Sequence, residues 1–326
     1  MKRPRRHFRH WGAAALAVLL TALGGHNVQA QSGRTIKAIV PTPPAGVNDL
    51  MARLLMDHVS KAHNVSYVVE NRAGAAEVIG TEAVARAAPD GSTILFGSSQ
   101  VVINPHLRKV NYHPFESFEP ICLLVAAPLV YSVQASSPYR TLKDLLDAAR
   151  AKPGSVTVGS LGPGTPFDIG LAMLKNATKV DITFVPFNGN APSINALLGG
   201  HVTSTFNSFS SAASQLKAGL LRPLAVASKT RIPPLPDVPT VIESGVKDYE
   251  VEPWFGVYAP AKTPKEIVAR INAEVDRVIR SPELKERFEN EVLEVVGGPP
   301  EAFGAFLRAE IEKYARVIKL ANIPKQ

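Results

Sequence analysis

From residue 35 onward, short β-branched runs alternate with longer stretches whose apolar residues recur at helical spacing. Thr35 to Val40 reads as a strand, followed by the turn Pro41-Thr42-Pro43-Pro44-Ala45-Gly46. Leu50, Leu54 and Leu55 then mark a helix that Asn48 or Asp49 can cap. Val65 to Val69, Glu77 to Ala88 and Thr93 to Phe96 read as strand, helix and strand. This βαβ rhythm predicts a parallel sheet with helices on both faces.

The middle of the chain repeats the rhythm. Thr141 opens a helix that Pro153-Gly154 stops, and Val156 to Gly159 is a strand. The loop Ser160-Leu161-Gly162-Pro163-Gly164-Thr165-Pro166 feeds another helix, and alternation continues to Leu224–Ala227 before a proline-stiffened loop at Pro233, Pro234, Pro236 and Pro239. Val251 to Tyr258 is a last long strand. The stripes Ile267, Ile271, Val275, Ile279 and Phe303, Phe306, Leu307, Ile311, Tyr314 predict two core-facing helices. Two α/β units with a returning helical tail predict a discontinuous first lobe. The chain would cross near Ile121 to Val133 and return near Val251 to Tyr258, and two crossings make a hinge. The expected fold is α/β: two Rossmann-like domains joined by a two-strand hinge. Ligands in such folds sit at the carboxyl ends of strands.

Residues 1–30 do not belong to this pattern. Lys2, Arg3, Arg5, Arg6 and Arg9 precede an apolar run from Trp11 to Leu23, and the segment ends at Val28-Gln29-Ala30. That order is a secretory signal, with cleavage expected after Ala30 and a periplasmic destination. A membrane anchor would need about 20 apolar residues, more than this run supplies. The leader also carries much of the charge. The chain has 36 Lys+Arg against 28 Asp+Glu, and removal of five bases leaves 31 against 28, or +3. No basic run with interleaved aromatics remains, which argues against a nucleic-acid partner. The expected organisation is a signal peptide over residues 1–30, a first lobe of residues 31–125 plus 256–326, and a second lobe of residues 126–255.

Catalytic patterns are sparse. The histidines after the leader, His58, His63, His106, His113 and His201, form no HExxH, and a single cysteine, Cys122, allows neither a CxxC pair nor an intrachain disulfide. No G-x-S-x-G elbow occurs. Ser214-Gln215-Leu216-Lys217 has S-x-x-K spacing without its partner motifs, and Gly159, Gly162 and Gly164 fit no phosphate-loop spacing. No cofactor or metal is implied. What remains is one Gly/Pro-rich strand-loop-helix junction per lobe. Free amides and the helix dipole at such junctions favour an anion, and glycine lets backbone approach a ligand closely.

Several blocks carry a resemblance. Pro43-Pro44-Ala45-Gly46-Val47-Asn48-Asp49 with Ala52-Arg53 resembles the P-P-G-G-x-x-D-x-x-A-R opening of the Bug family, the substrate-binding (TctC) proteins of tripartite tricarboxylate transporters. Glu70-Asn71-Arg72-Ala73-Gly74 followed by Ile79-Gly80 is similar to that family's E-N-R-P-G-A-G-G-x-I-G segment. Ala88-Pro89-Asp90-Gly91, Ile103-Asn104-Pro105, Leu198-Gly199-Gly200, Leu235-Pro236-Asp237-Val238-Pro239-Thr240, Trp254-Phe255-Gly256 and Pro260-Ala261-Lys262-Thr263-Pro264 match further blocks, from about Thr35 to Ile323.

The resemblance implies a two-lobed type II periplasmic binding protein, not an enzyme. It would capture a small organic carboxylate and deliver it to membrane permease subunits of a tripartite tricarboxylate transporter; a monomer is expected. It implies a carboxylate held largely by backbone amides and water from two cleft loops. Carried onto this chain, the candidate ligand residues are Pro44, Ala45, Gly46, Asn48 and Asp49 in the first loop, Gly162, Gly164 and Thr165 in the second, and Ser98 and Ser99 after the third strand. The sequence departs from the pattern where Ala45 replaces glycine, Asp168 stands for the common His, Ala172 for Glu, Phe187-Asn188-Gly189 for Y-K-G, and Thr203 and Asn207 for Asp. Asp168, Asn188 and Asn207 therefore complete the candidate set. Asp49 and Asp168 are expected to cap helices or accept backbone amides rather than face an anion. The alternatives are a ligand-binding partner of a sensor system and an exported hydrolase.

Overall fold

The computed structural model describes residues 35–44, 46–63, 65–290 and 293–325. The leader, its expected cleavage after Ala30, and Ala45 lie outside the described residues. Ala38, Ile39 and Val40 are all buried, which is how a parallel strand covered on both faces reads. They belong to β1 (Ile36–Val40), which is followed by α1 (Val47–His63), β2 (Tyr67–Asn71), α2 (Val78–Ala85), β3 (Thr93–Ser98), α3 (Gln100–Leu107) and β4 (Phe118–Ala126). The chain then builds β5 (Leu129–Gln134), α4 (Leu142–Ala151), β6 (Thr157–Leu161), α5 (Pro166–Thr178), β7 (Thr183–Phe187), α6 (Asn190–Leu198), β8 (Ser204–Ser208), α7 (Phe209–Lys217) and β9 (Leu221–Val226). It returns through β10 (Trp254–Pro260), α8 (Lys265–Ile279), α9 (Pro282–Asn290), β11 (Glu294–Val295) and α10 (Pro300–Leu320).

Two sheets result, in the orders β11-β4-β10-β3-β1-β2 and β7-β6-β8-β5-β9. The βαβ segments pair in parallel as expected, and antiparallel strands complete each sheet. β1 pairs parallel with β2 and β3, and β6 with β7 and β8, but β10 runs antiparallel to β3 and β4, and β5 antiparallel to β8 and β9. The antiparallel strands adjoin the points where the chain leaves one sheet and enters the other. There Ala127 N donates to Pro253 O at 2.9 Å, and Ala227 N donates to Leu129 O at 2.9 Å, so outgoing and returning segments are bonded to one another.

Each sheet has a core on both faces. Alternation along β1 sends Ala38 and Val40 to one face, with Leu55, Val275 and Ile279, and Ile39 to the other, with Val101, Phe303 and Leu307. The predicted stripes of α8 and α10 are thus core packing, with Val268 buried in place of Ile267. The second sheet is covered by Leu145, Leu171 and Tyr249 on one side and by Ile194, Leu197 and Phe209 on the other. No helix among the described residues is long and apolar enough to cross a membrane.

Candidate functional site

The carboxyl ends of β1, β2 and β3 and of β6, β7 and β8 lead to helix starts, directly or through a loop, and the expected site residues lie at these strand ends, in the loops and in the first helical turns. At the first junction α1 begins at Val47, so Asn48 and Asp49 lie inside its first turn rather than at the cap; Gly46 O accepts the amide of Leu50 at 2.9 Å. The first-turn amides have no acceptor within the helix. Asn48 is only 2 % exposed and its Nδ2 has no partner in the protein, nor has the buried Oγ1 of Thr42. Pro44 is exposed and Gly46 half-buried. This junction therefore keeps donors for an anion.

Asp49 does something the sequence reading missed. Its carboxylate takes Arg53 Nε at 3.0 Å, Arg53 Nη2 at 3.0 Å and Asn71 Nδ2 at 2.9 Å. Asn71 Nδ2 also donates to Thr42 O at 3.1 Å, and Arg53 Nη2 to Asn71 Oδ1 at 3.2 Å. Two sequence blocks 22 residues apart thus close one network that pins the loop after β1 to the end of β2. The signal was present in Asp49, Arg53 and Asn71, but only the pairing of β1 with β2 brings them together.

At the second junction the loop bonds largely to itself. Thr165 Oγ1 donates to Gly162 O at 2.8 Å and accepts the Asp168 amide at 3.4 Å, making Thr165 the N-cap of α5. The Asp168 carboxylate accepts the Gly164 amide at 2.9 Å, in line with the expected backbone role. Burial raises the Asp168 carboxyl, opposed by that amide and by Lys175. Gly164 has φ +76°, a conformation that suits glycine. Gly162 is open, with nothing near the position of a Cβ.

A side chain outside the expected set links the end of β3 to the second junction. Gln100, at the start of α3, is 7 % exposed and donates from Nε2 to Gly164 O at 3.2 Å, while its Oε1 is buried without a partner. Gly164 O can only accept, so the amide orientation of Gln100 is settled by this bond. Ser98 and Ser99, both buried, precede it: Ser98 Oγ accepts the Gln100 amide at 3.2 Å and donates to Glu77 Oε2 at 2.8 Å, and the Ser99 amide donates to Trp254 O at 2.9 Å. Asn207 is buried in β8 with Nδ2 3.3 Å from Ser193 Oγ and no partner for Oδ1, and Asn188 is exposed after β7. The structure thus draws Ser98, Ser99 and Gly164 together through Gln100 and leaves Pro44 and Asn188 at the surface.

A groove of about 950 Å³ lies elsewhere, beside the crossing segments, with Pro128, Ile232, Pro233, Ile279 and Val295 in its wall. It contains none of the expected ligand residues. Among the described residues no group of three or more His, Cys, Asp or Glu could hold a metal.

A family model described as the tripartite tricarboxylate transporter family receptor, TctC, matches residues 51–323. The chain is 34% identical over 306 residues to the UPF0065 protein in the tcbD-tcbE intergenic region of a Pseudomonas species, covering 93% of this chain and 91% of that protein. It is similar to the structure of the periplasmic binding protein BugD, with TM-score 0.76 and 32% identity over 90% of this chain and 99% of that one. It is similar also to R. palustris Rpa4515 solved with adipate, with TM-score 0.78 and 32% identity over 89% of this chain and 98% of that one.

Proposed function

The chain belongs to the tripartite tricarboxylate transporter family receptors and is a solute-binding protein of that type, and from this premise we propose that it captures a small organic carboxylate for a membrane permease. The observation that carries the reading is the first junction. Asn48 Nδ2 and Thr42 Oγ1 are buried without a partner, while no Lys or Arg lies between Pro41 and Asp49. An anion there is held by amides, amide side chains, water and a helix dipole rather than by a cation. Adipate in the R. palustris relative supports a carboxylate as the class. The second junction, bonded to itself, acts as the rigid wall against which the first closes, with Gln100 as the crossing contact. The lobes are residues 31–125 plus 256–326 and residues 126–255, and the bonded crossing segments serve as the hinge.

The test is a thermal-shift panel of malate, succinate, adipate, citrate and benzoate on the mature protein. A binder at a hundredfold over its Kd adds about 2.7 kcal/mol of stability, a clear rise in Tm. A panel without any stabilising member defeats the carboxylate reading. Export is the second part of the proposal. Mass spectrometry of periplasmic protein is expected to find Gln31 as the first residue, and a product that keeps residues 1–30 would contradict it.

A further inference from the structure

The segment between β2 and α2 is unusual in backbone and in charge. Gly74, Ala75, Ala76 and Glu77 have φ of 133°, 47°, 51° and 75°. Three consecutive non-glycine residues in the left-handed region are each strained, because Cβ crowds the neighbouring carbonyl oxygen. Such strain persists only where surrounding contacts impose it. Here Asn104 Nδ2 donates to Ala76 O at 2.7 Å, and Arg108 Nη1 lies 3.5 Å from Ala75 O. The family pattern quoted above has glycine at the positions of Ala76 and Glu77, so the chain carries the conformation without the residue that adopts it freely.

The strained segment carries a carboxyl group into a hydrogen-bond chain that reaches the second sheet. Glu77 Oε2 accepts Ser98 Oγ at 2.8 Å, Ser98 Oγ accepts the Gln100 amide, and Gln100 reaches Gly164 of the second sheet. Glu77 is therefore two hydrogen bonds from the residue that reaches the second junction. Among the described residues no Lys or Arg bonds its carboxyl. On the surrounding elements, Tyr112 and Tyr258 lie near enough to feel its charge, Arg108 is directed to the Ala75 carbonyl, His106 to the backbone of Ile311, and Glu82 to Arg86 and Asn111. In the second sheet's loop, Asp168 accepts the amide of Gly164, whose carbonyl holds Gln100.

We infer that Glu77 is a specificity-determining residue that couples carboxylate capture to proton uptake: the cleft accepts the anion when Glu77 is neutral and repels it when Glu77 is ionised. The inference rests on the carboxylate reading of the site. A carboxylate ligand and an ionised Glu77 would be two like charges, with no Lys or Arg bonded to the Glu77 carboxyl among the described residues, and each disfavours the other. Drawing a proton from solvent onto Glu77 removes the repulsion and supplies a donor. Burial already raises the Glu77 carboxyl to about 7, with the Ser98 hydroxyl and amide opposing. The neutral form is thus favoured by folding below that value, and a bound anion moves the midpoint higher still.

The test is titration calorimetry of the mature protein with malate, succinate, adipate and citrate, each at pH 6.0 and pH 8.5, where the second carboxyls of malate, succinate and adipate are mostly ionised. A group with its midpoint near 7 is about 90% neutral at the lower pH and about 3% at the higher, so apparent affinity should fall roughly thirtyfold. Glu77→Gln, which cannot ionise, should bind equally at both values, and Glu77→Gly, which also relieves the left-handed strain, should do the same if the glutamine variant folds poorly. Equal affinity of the parent at both values, or tighter binding at pH 8.5, overturns the inference while leaving the carboxylate reading in place. Binding by none of the probes at either value overturns both.

Discussion

Asp49→Ala is expected to lower stability by about 2–3 kcal/mol and to weaken carboxylate binding more than tenfold. The Asp49 side chain is 6 % exposed and its carboxylate accepts three side-chain hydrogen bonds, two from Arg53 and one from Asn71. Removing one partner of a buried charged pair typically costs about 3–5 kcal/mol. The Arg53 side chain is half exposed and regains water, which brings the figure down. The effect on binding follows from geometry. Asn71 loses one of the two acceptors of its Nδ2 and no longer fixes Thr42 O, so the donors of the loop after β1 lose their placement. Asp49→Asn keeps the volume and one acceptor oxygen, and should fall between parent and alanine. Denaturant unfolding together with calorimetry on the best panel carboxylate reads both quantities. An alanine variant with parental stability and affinity would show that the network braces nothing.

Gly80→Ala is expected to destabilise by about 1–2 kcal/mol and to disturb the same loop from its other side. Helix propensity alone predicts the opposite, a gain of about 1 kcal/mol for alanine in the interior of α2. Packing decides the sign. A Cβ on Gly80 would lie 2.8 Å from both Cα and Cβ of Pro41 and 2.9 Å from the Arg72 carbonyl oxygen. Two of these three atoms are backbone, so no side-chain rotation relieves the contact. Either α2 moves away from the sheet or the chain at Pro41 shifts, and Pro41 begins the loop that carries Thr42, Gly46 and Asn48. A lower unfolding midpoint with weaker binding is the expected result, and an alanine variant more stable than the parent would mean that propensity outweighs contact.

Both substitutions concern why the resemblance blocks contain the residues they do. The Asp49 and Arg53 of one block and the Asn71 of another read as possible ligand or surface groups while they are only letters in a line. In the fold they form one brace beneath the first junction. Gly80 reads as a weak point in a helix, and in the fold it is the place where α2 meets β1's outgoing chain. Thr165 shows the same shift of role. Its hydroxyl, expected to meet the ligand, caps α5 and holds the Gly162 carbonyl.

The sequence by itself determined the local matters: β-branched runs became strands, amphipathic stripes became helices packed on the sheets, and Thr141 capped its helix through a reciprocal bond with Asp144. These depend on burial periodicity and on contacts a few residues apart, which a linear pattern records directly. α3 was not legible, because Pro105 and the polar Asn104 interrupt its apolar pattern, yet Asn104 is fully buried there to hold the Ala76 carbonyl. The contacts that shape the site, Asp49 with Asn71, Glu77 with Ser98 and Gln100 with Gly164, span 22, 21 and 64 positions. Whether such groups meet is decided by strand order and register and by how closely the two sheets' loops approach. Local propensity carries no information on these, so only the tertiary structure could turn Asp49 into a brace, Gln100 into a crossing contact and Glu77 into a half-buried acid bonded to Ser98.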